Sequence, residues 1–164
     1  MILCKGDNMS VDKNKIEDKV IFTGKVPWEE VGKYYQLADI FATASRTETQ
    51  GLTVIEAMAA SLPVVAVNDE SFRNAIVENV NGYLFDTKRE YVKRVSDLLD
   101  DKKKLKKFSD QARINADSFS SKYFADRVLK VYKLAIKNAN TKNKDKTIVN
   151  GFKNVLKGVN IWKK

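Results

Sequence analysis

The chain has 164 residues, of which 43% are hydrophobic and 31% are charged, as expected for one soluble domain with a full hydrophobic core. It contains no histidine and one cysteine, Cys4, which excludes an internal disulfide, the common zinc sites and a nucleophile activated by an imidazole. No segment approaches the roughly 18 apolar residues of a membrane-spanning helix, and the N-terminus lacks a signal-peptide layout. We therefore expect an intracellular, cytoplasmic protein.

The net charge of +9 is concentrated at the C-terminal end. From residue 130 onward there are ten lysines and one acidic residue, so residues 1–129 are close to neutral. A basic tail on a neutral core argues against a nucleic-acid-binding groove in the core.

Apolar segments and amphipathic segments alternate along the chain. The first residues, MILCKGDN, indicate the end of a strand and a glycine turn. Strands are predicted at VIFTG (20–24), DIFATAS (39–45), PVVAVN (63–68) and GYLFD (82–86), and helices at 27–38, 51–61 and 71–80. This alternation predicts an α/β fold with a doubly wound, Rossmann-like parallel sheet. About five strands are predicted where a complete domain of this kind has about six, so we expect it to be incomplete at its N-terminus.

Helical periodicity dominates from residue 89 onward and predicts the rest of the organisation. We expect a Rossmann-like domain over residues 1–117, a long helix over 118–137, a polar linker over 138–146 and a basic amphipathic helix over 147–164. In the helix at 51–61, spacing places Leu52, Ile55, Ala59 and Leu62 on one apolar stripe, and in the helix at 71–80 it groups Phe72, Ala75, Ile76 and Val80.

The segment TETQGLTVIEAMAASLPVV (47–65) carries the chemistry. Ligands of doubly wound sheets bind beyond the carboxyl ends of the strands, where this loop and helix follow the strand at 39–45. The backbone N–H groups of Gly51, Leu52 and Thr53 would have no intrahelical partner at the positive end of the helix dipole, which suits a phosphate or diphosphate. Gly51 has no Cβ and would let a ligand approach the backbone.

Two glutamates lie on either side of this phosphate-binding position. Glu48 precedes the helix, and Glu56 lies about five residues into it, so both carboxylates could accept hydrogen bonds from sugar hydroxyls. A nucleotide diphosphate sugar has hydroxyls at both ends and phosphates between them. From spacing alone the alternative stays open that Glu48 is a helix cap or dipole partner and that Glu56 is a solvated surface residue.

Three ordered motifs resemble retaining glycosyltransferases of the two-Rossmann-domain (GT-B) architecture. ETQGLTVIEAMAASLPVVA is similar to their E-x7-E donor-sugar helix, VIFTGKVPWEEVGKYYQLADIFATAS to the preceding F-x-G-x-V and Y-x-x-A-D-x-F elements, and ENVNGYLFD to the following N-G-x-L-F element. The resemblance covers roughly residues 1–135. It implies that the chain is the C-terminal, donor-binding half of such an enzyme.

The resemblance also implies roles for individual residues. Glu48 would be the catalytic residue, contacting hydroxyls of the transferred sugar and stabilising developing charge or positioning the sugar. Glu56 would bind the ribose hydroxyls. Donor-binding positions are implied at Gln50, Gly51, Leu52, Thr53, Lys25 and Val26, the last two in a loop against the nucleotide base. Arg46 is open between a phosphate contact and a surface ion pair.

The segments YYQLAD and TETQGLT resemble those of the diacylglycerol glucosyltransferases of low-GC Gram-positive bacteria. This resemblance implies UDP-glucose as the donor and a membrane lipid as the acceptor. Gln50 replaces the family's usual Phe, and Ser61 its usual Gly. The family's phosphate-binding Arg and Lys and its N-terminal acceptor domain have no match here. We therefore expect a catalytically incomplete chain whose partners are the nucleotide sugar and that domain. The family needs no bound metal, so no metal cofactor is expected.

The basic amphipathic helix predicted at 147–164 leaves two functions open. Its apolar stripe could pack against protein, while its lysines could attract it to an anionic membrane, giving a peripheral protein at the inner face of the cell membrane. The first functional hypothesis is the donor-binding half of a glycosyltransferase. The alternative is a non-catalytic module of the same fold that docks on a membrane or on a partner glycosyltransferase.

Overall fold

The structure of the chain, a computed structural model, describes residues 2–4, 19–46 and 51–141. Two predicted site residues, Glu48 and Gln50, lie outside the described residues, as does the helix predicted at 147–164. The chain divides after Asp117 into two units. The first unit contains the predicted Rossmann-like domain.

Strands and helices alternate in the first unit. The elements are β1 (Ile2–Cys4), β2 (Val20–Phe22), α1 (Trp28–Tyr35), β3 (Phe41–Thr43), α2 (Leu52–Ala59), β4 (Val64–Val67), α3 (Glu70–Arg73), β5 (Gly82–Phe85), α4 (Lys88–Leu99) and α5 (Lys102–Ala116). Within the described residues every strand pair is parallel, which confirms the predicted α/β fold class.

The strands form two sheets. β1 pairs with β2, and the other sheet has the order β3-β4-β5 with β4 in the centre. Both sheets pair strands that follow one another along the chain, as strands do within each half of a doubly wound fold. All four residues of β4 are buried, as expected for a central parallel strand with apolar β-branched residues.

The apolar face of α2 differs from the prediction. The structure buries Val54, Ala57 and Met58, whereas the side chain of Leu52 is 57% exposed and Ala59 is also exposed. The helix is apolar on more than one face, so spacing alone could not select the face that packs. The burial of Leu62 at 4% exposure and the packing of half-buried Ile55 against the core agree with the prediction.

The helix predicted at 71–80 is also wrong in its extent, because α3 ends at Arg73. The buried side chain of Asn81 donates to the carbonyl oxygen of Ala75 at 2.9 Å and accepts from the backbone N–H of Val77 at 2.8 Å. These bonds satisfy backbone groups that a longer helix would have paired. The predicted burial of Phe72, Ala75 and Ile76 is nevertheless confirmed.

The second unit contains α6 (Ser121–Thr141), preceded by a short 3₁₀ turn at Asp117–Phe119. The helix extends to Thr141, four residues into the segment predicted as a linker at 138–146. Within residues 2–4, 19–46 and 51–141, no helix combines the length and hydropathy that crossing a bilayer requires.

Candidate functional site

The candidate site lies where β3 ends and α2 begins. β3 ends at Thr43, whose Oγ1 accepts a hydrogen bond from the backbone N–H of Ser45 at 3.3 Å. Arg46 follows and is exposed, and Gly51 is the N-cap of α2. The structure therefore places the start of α2 just beyond the carboxyl end of a parallel strand, the position where doubly wound folds bind ligands.

The N-cap of α2 is Gly51, which has no side chain that could accept hydrogen bonds from the first helical N–H groups. The carbonyl oxygen of Gly51 accepts hydrogen bonds from the N–H groups of Val54 at 3.0 Å and Ile55 at 3.3 Å. The N–H groups of Leu52 and Thr53 occupy the first two helical positions, which have no intrahelical partner. They lie at the positive end of the helix dipole, where an anion is favoured.

Gly51 has a structural role that the sequence analysis did not foresee. Its φ of 59° and ψ of 32° lie in the left-handed region. A Cβ at this position would lie 3.0 Å from Cδ1 of Phe72 and 3.1 Å from the carbonyl oxygen of Ser71. The space on this side of Gly51 is therefore filled by the start of α3, which fixes the entry to α2.

Glu56 is exposed in the second turn of α2, and its carboxylate has a protein partner. The hydroxyl of Tyr35 donates to Oε2 of Glu56 at 3.2 Å and lies 3.4 Å from the carbonyl oxygen of Thr53. Tyr35 belongs to the motif YYQLAD, but the motif predicts no role for it. Spacing could not reveal this contact, because it joins two helices that are separated by β3.

Lys25 and Val26 lie between β2 and α1, after Gly24, which has a φ of +60°. Lys25 is exposed and Val26 is half-buried. This loop leads directly into α1, whose last residue is Tyr35. One continuous segment thus carries both the predicted base-binding loop and the tyrosine that contacts Glu56.

Beside Gly51, α3 begins with a carboxylate that caps the helix, that of the N-cap residue Asp69. Oδ1 of Asp69 accepts hydrogen bonds from the hydroxyl of Ser71 at 2.7 Å and from its N–H at 3.0 Å. These two hydrogen bonds hold the pKa of Asp69 below its usual value, the bond from the Ser71 hydroxyl contributing most. The positive charges of Arg46 and Arg73 lower this pKa further, and both interpretations of Arg46 stay predictions.

A cavity of about 190 Å³ lies at the carboxyl end of β3, next to β5 and α4. Its lining residues are Ala42, Thr43, Ala44, Phe85, Lys88 and Tyr91, and none of them is a predicted donor-binding residue. Among the residues that the structure describes, no group of three or more acidic, cysteine or histidine side chains could hold a metal ion.

Residues 9–115 match the family model described as Glycosyl transferases group 1. The chain is 36% identical over 115 residues to an alpha-monoglucosyldiacylglycerol synthase from Acholeplasma laidlawii. The aligned region covers 70% of this chain and 29% of the relative. The chain therefore spans less than a third of that relative's length.

Solved structures agree with this match. The C-terminal domain of a glycosyl transferase group 1 family protein from Francisella tularensis superposes with a TM-score of 0.57 at 27% identity, covering 63% of this chain and 54% of that one. A variant of TarM from S. aureus, solved with fondaparinux, alpha-GlcNAc-glycerol and UDP, superposes with a TM-score of 0.62 at 25% identity, covering 70% of this chain and 24% of TarM.

The resemblance to the C-terminal half of GT-B glycosyltransferases is thereby confirmed. The matched residues 9–115 include Lys25, Val26, Glu48 and the whole of α2, so the family assignment covers every predicted site residue. The chain belongs to the group 1 glycosyl transferases.

Proposed function

We propose that the chain is the donor-binding half of a retaining glycosyltransferase that transfers glucose from UDP-glucose to a membrane lipid such as diacylglycerol. The observation that carries this proposal is the exposed Glu56 carboxylate, which Tyr35 contacts one turn behind the glycine N-cap of α2. The name of the A. laidlawii relative supports the lipid acceptor, and the UDP bound to TarM supports the nucleotide.

In this proposal the diphosphate lies at the start of α2. The N–H groups of Leu52 and Thr53 donate to its oxygens, and the helix dipole stabilises the negative charge of the departing UDP. Gly51 contributes its own N–H, while its other side packs against α3. These are fixed dipoles that need no reorganisation when charge develops, so they act in the transition state as well as in the bound donor.

The two ends of the donor are held by side chains. Glu56 accepts hydrogen bonds from the ribose hydroxyls, and the loop with Lys25 and Val26 packs against the base. Glu48 and Gln50, which lie outside the described residues, are proposed to contact the transferred sugar, with Glu48 as the catalytic residue. No metal ion is assigned to this site.

The acceptor side of the reaction is proposed to come from an N-terminal domain, because the chain corresponds to only 29% of its synthase relative. The lysine-rich residues 147–164 are proposed to draw the protein to the anionic inner surface of the cell membrane, at about 1 kcal/mol for each basic residue near the surface. This would bring the donor site close to a lipid acceptor.

Calorimetric titration with UDP tests the donor site. We expect the wild type to bind UDP and Glu56→Gln to bind it about 10-fold to 100-fold more weakly, because hydrogen bonds to a charged group contribute about 1.5–3 kcal/mol. Glu29→Gln replaces another exposed glutamate and should leave the affinity unchanged. Equal affinity of the wild type and Glu56→Gln, or no binding by the wild type, would contradict the proposal.

A further inference from the structure

The Tyr35 hydroxyl connects two elements that both contribute to the proposed donor site. Tyr35 is the last residue of α1, and its hydroxyl lies 3.2 Å from Oε2 of Glu56 on α2. The same hydroxyl lies 3.4 Å from the carbonyl oxygen of Thr53. Both acceptors belong to the first turns of α2, so Tyr35 contacts this helix at the end proposed to hold the donor.

The tyrosine is itself held in place. Its ring packs edge-on against Phe41 of β3, with 5.7 Å between the ring centroids. The backbone carbonyl of Tyr35 accepts a hydrogen bond from the N–H of Ala38 at 3.1 Å, in the turn that ends α1. The hydroxyl therefore extends from a half-buried ring that β3 and the turn after α1 keep in position.

An exposed glutamate without a partner would sample several rotamers, and fixing one of them at ligand binding costs side-chain entropy. A hydrogen bond to one carboxylate oxygen reduces that cost before the ligand arrives, which is the advantage of preorganisation. An ionised carboxylate has about four acceptor sites, and Tyr35 occupies one of them. Among the described residues, Tyr35 is the one side-chain donor to Glu56, which leaves Oε1 and the second acceptor site of Oε2 for two ribose hydroxyls.

We propose that Tyr35 is a positioning residue for the donor: it holds the Glu56 carboxylate in the orientation that binds the ribose diol. This inference rests on the proposed function, since it requires that Glu56 contacts ribose. It also couples α1, and hence the loop with Lys25 and Val26, to the ribose contact. A Tyr35–Glu56 bond that merely stabilised the fold would have no dependence on the ribose hydroxyls.

The test uses Tyr35→Phe, which removes only the hydroxyl, and Tyr34→Phe as a matched control on the same helix. Calorimetry compares UDP with 2′,3′-dideoxyuridine diphosphate, which lacks the diol. We expect Tyr35→Phe to weaken UDP binding about fivefold to tenfold, as the loss of one hydrogen bond does, and to leave binding of the dideoxy analogue unchanged. Tyr34→Phe should bind both ligands as the wild type does.

The double variant Tyr35→Phe, Glu56→Gln distinguishes action through Glu56 from direct contact. We expect it to bind UDP as Glu56→Gln alone does, because the tyrosine has no carboxylate left to position. If Tyr35→Phe binds UDP normally while Glu56→Gln binds it weakly, the positioning role is wrong and the donor site stands. An equal loss for UDP and the dideoxy analogue would also refute positioning, and a wild type that binds no UDP would refute both proposals.

Discussion

Replacing Gly51 with alanine should destabilise the fold strongly, although it adds a single methyl group. An L-residue in the left-handed region costs about 1–2 kcal/mol, which applies here because φ is 59°. The new Cβ would also lie 3.0 Å from Cδ1 of Phe72, a fully buried core residue, and 3.1 Å from the carbonyl oxygen of Ser71. Overpacking of this kind typically costs about 1–3 kcal/mol.

Alanine also restricts the unfolded chain, which returns about 0.4–1 kcal/mol, so the net loss in the free energy of unfolding should be about 1–5 kcal/mol. At about 2–4 °C for each kcal/mol, the melting temperature should fall by roughly 2–20 °C. Gly32→Ala is the matched control, because a Cβ there meets nothing within 4 Å inside α1. We expect that change to stabilise the protein by about 0.5–1 kcal/mol.

Urea unfolding and thermal melting, both without ligand, measure these effects. The two glycine variants should shift in opposite directions. If Gly51→Ala melts at the wild-type temperature and loses only UDP binding, then Gly51 is needed solely for ligand approach, and the packing of α3 against the start of α2 is not what requires a glycine.

Three further changes test other parts of the account. Ser61→Gly should stabilise the protein by about 0.5–1 kcal/mol in urea unfolding, because Ser61 has a φ of 66° where the family has glycine; equal stability would contradict a strained backbone. Asp69→Asn should be less stable than the wild type above about pH 4. Since the folded-state pKa of Asp69 is lowered, this difference should vanish as the pH falls below that pKa, and a pH-independent difference would rule out the ionised cap. Deleting residues 147–164 should abolish co-sedimentation with anionic vesicles, and unchanged sedimentation would exclude this segment as the membrane anchor.

The sequence predicted the strands better than the helices. Residues 64–67 and 82–85 are short apolar segments bounded by Pro, Asn, Gly or Asp, and β4 and β5 begin and end at these boundaries. A Cβ at Gly82 would lie 2.3 Å from the carbonyl oxygen of Val64, so the glycine that marks the start of β5 is needed for strand pairing. The prediction of a helix over 71–80 was wrong because apolar spacing does not show which side chains bond to the backbone. The side chain of Asn81 bonds to the backbone groups of Ala75 and Val77, which a longer helix would have paired with other backbone groups.

For the candidate site, the sequence predicted where its residues lie along the chain but not which residues they contact. The start of α2 and the exposed Glu56 are where the motif places them. Two contacts were not foreseen, the hydroxyl of Tyr35 on Glu56 and Phe72 against Gly51, because each joins residues from different elements. The roles of Glu48 and Gln50 stay predictions, since these residues lie outside the described part of the chain.

The most direct test of the central claim, that the start of α2 binds a nucleotide diphosphate, is an amide proton–nitrogen correlation spectrum of the full chain during titration with UDP. The account predicts the largest shifts at the N–H groups of Leu52 and Thr53, smaller shifts at Lys25 and Val26, and strongly reduced shifts in Glu56→Gln at the same UDP concentration. Shifts confined to the lysine-rich residues 147–164, or no shifts at all, would contradict it.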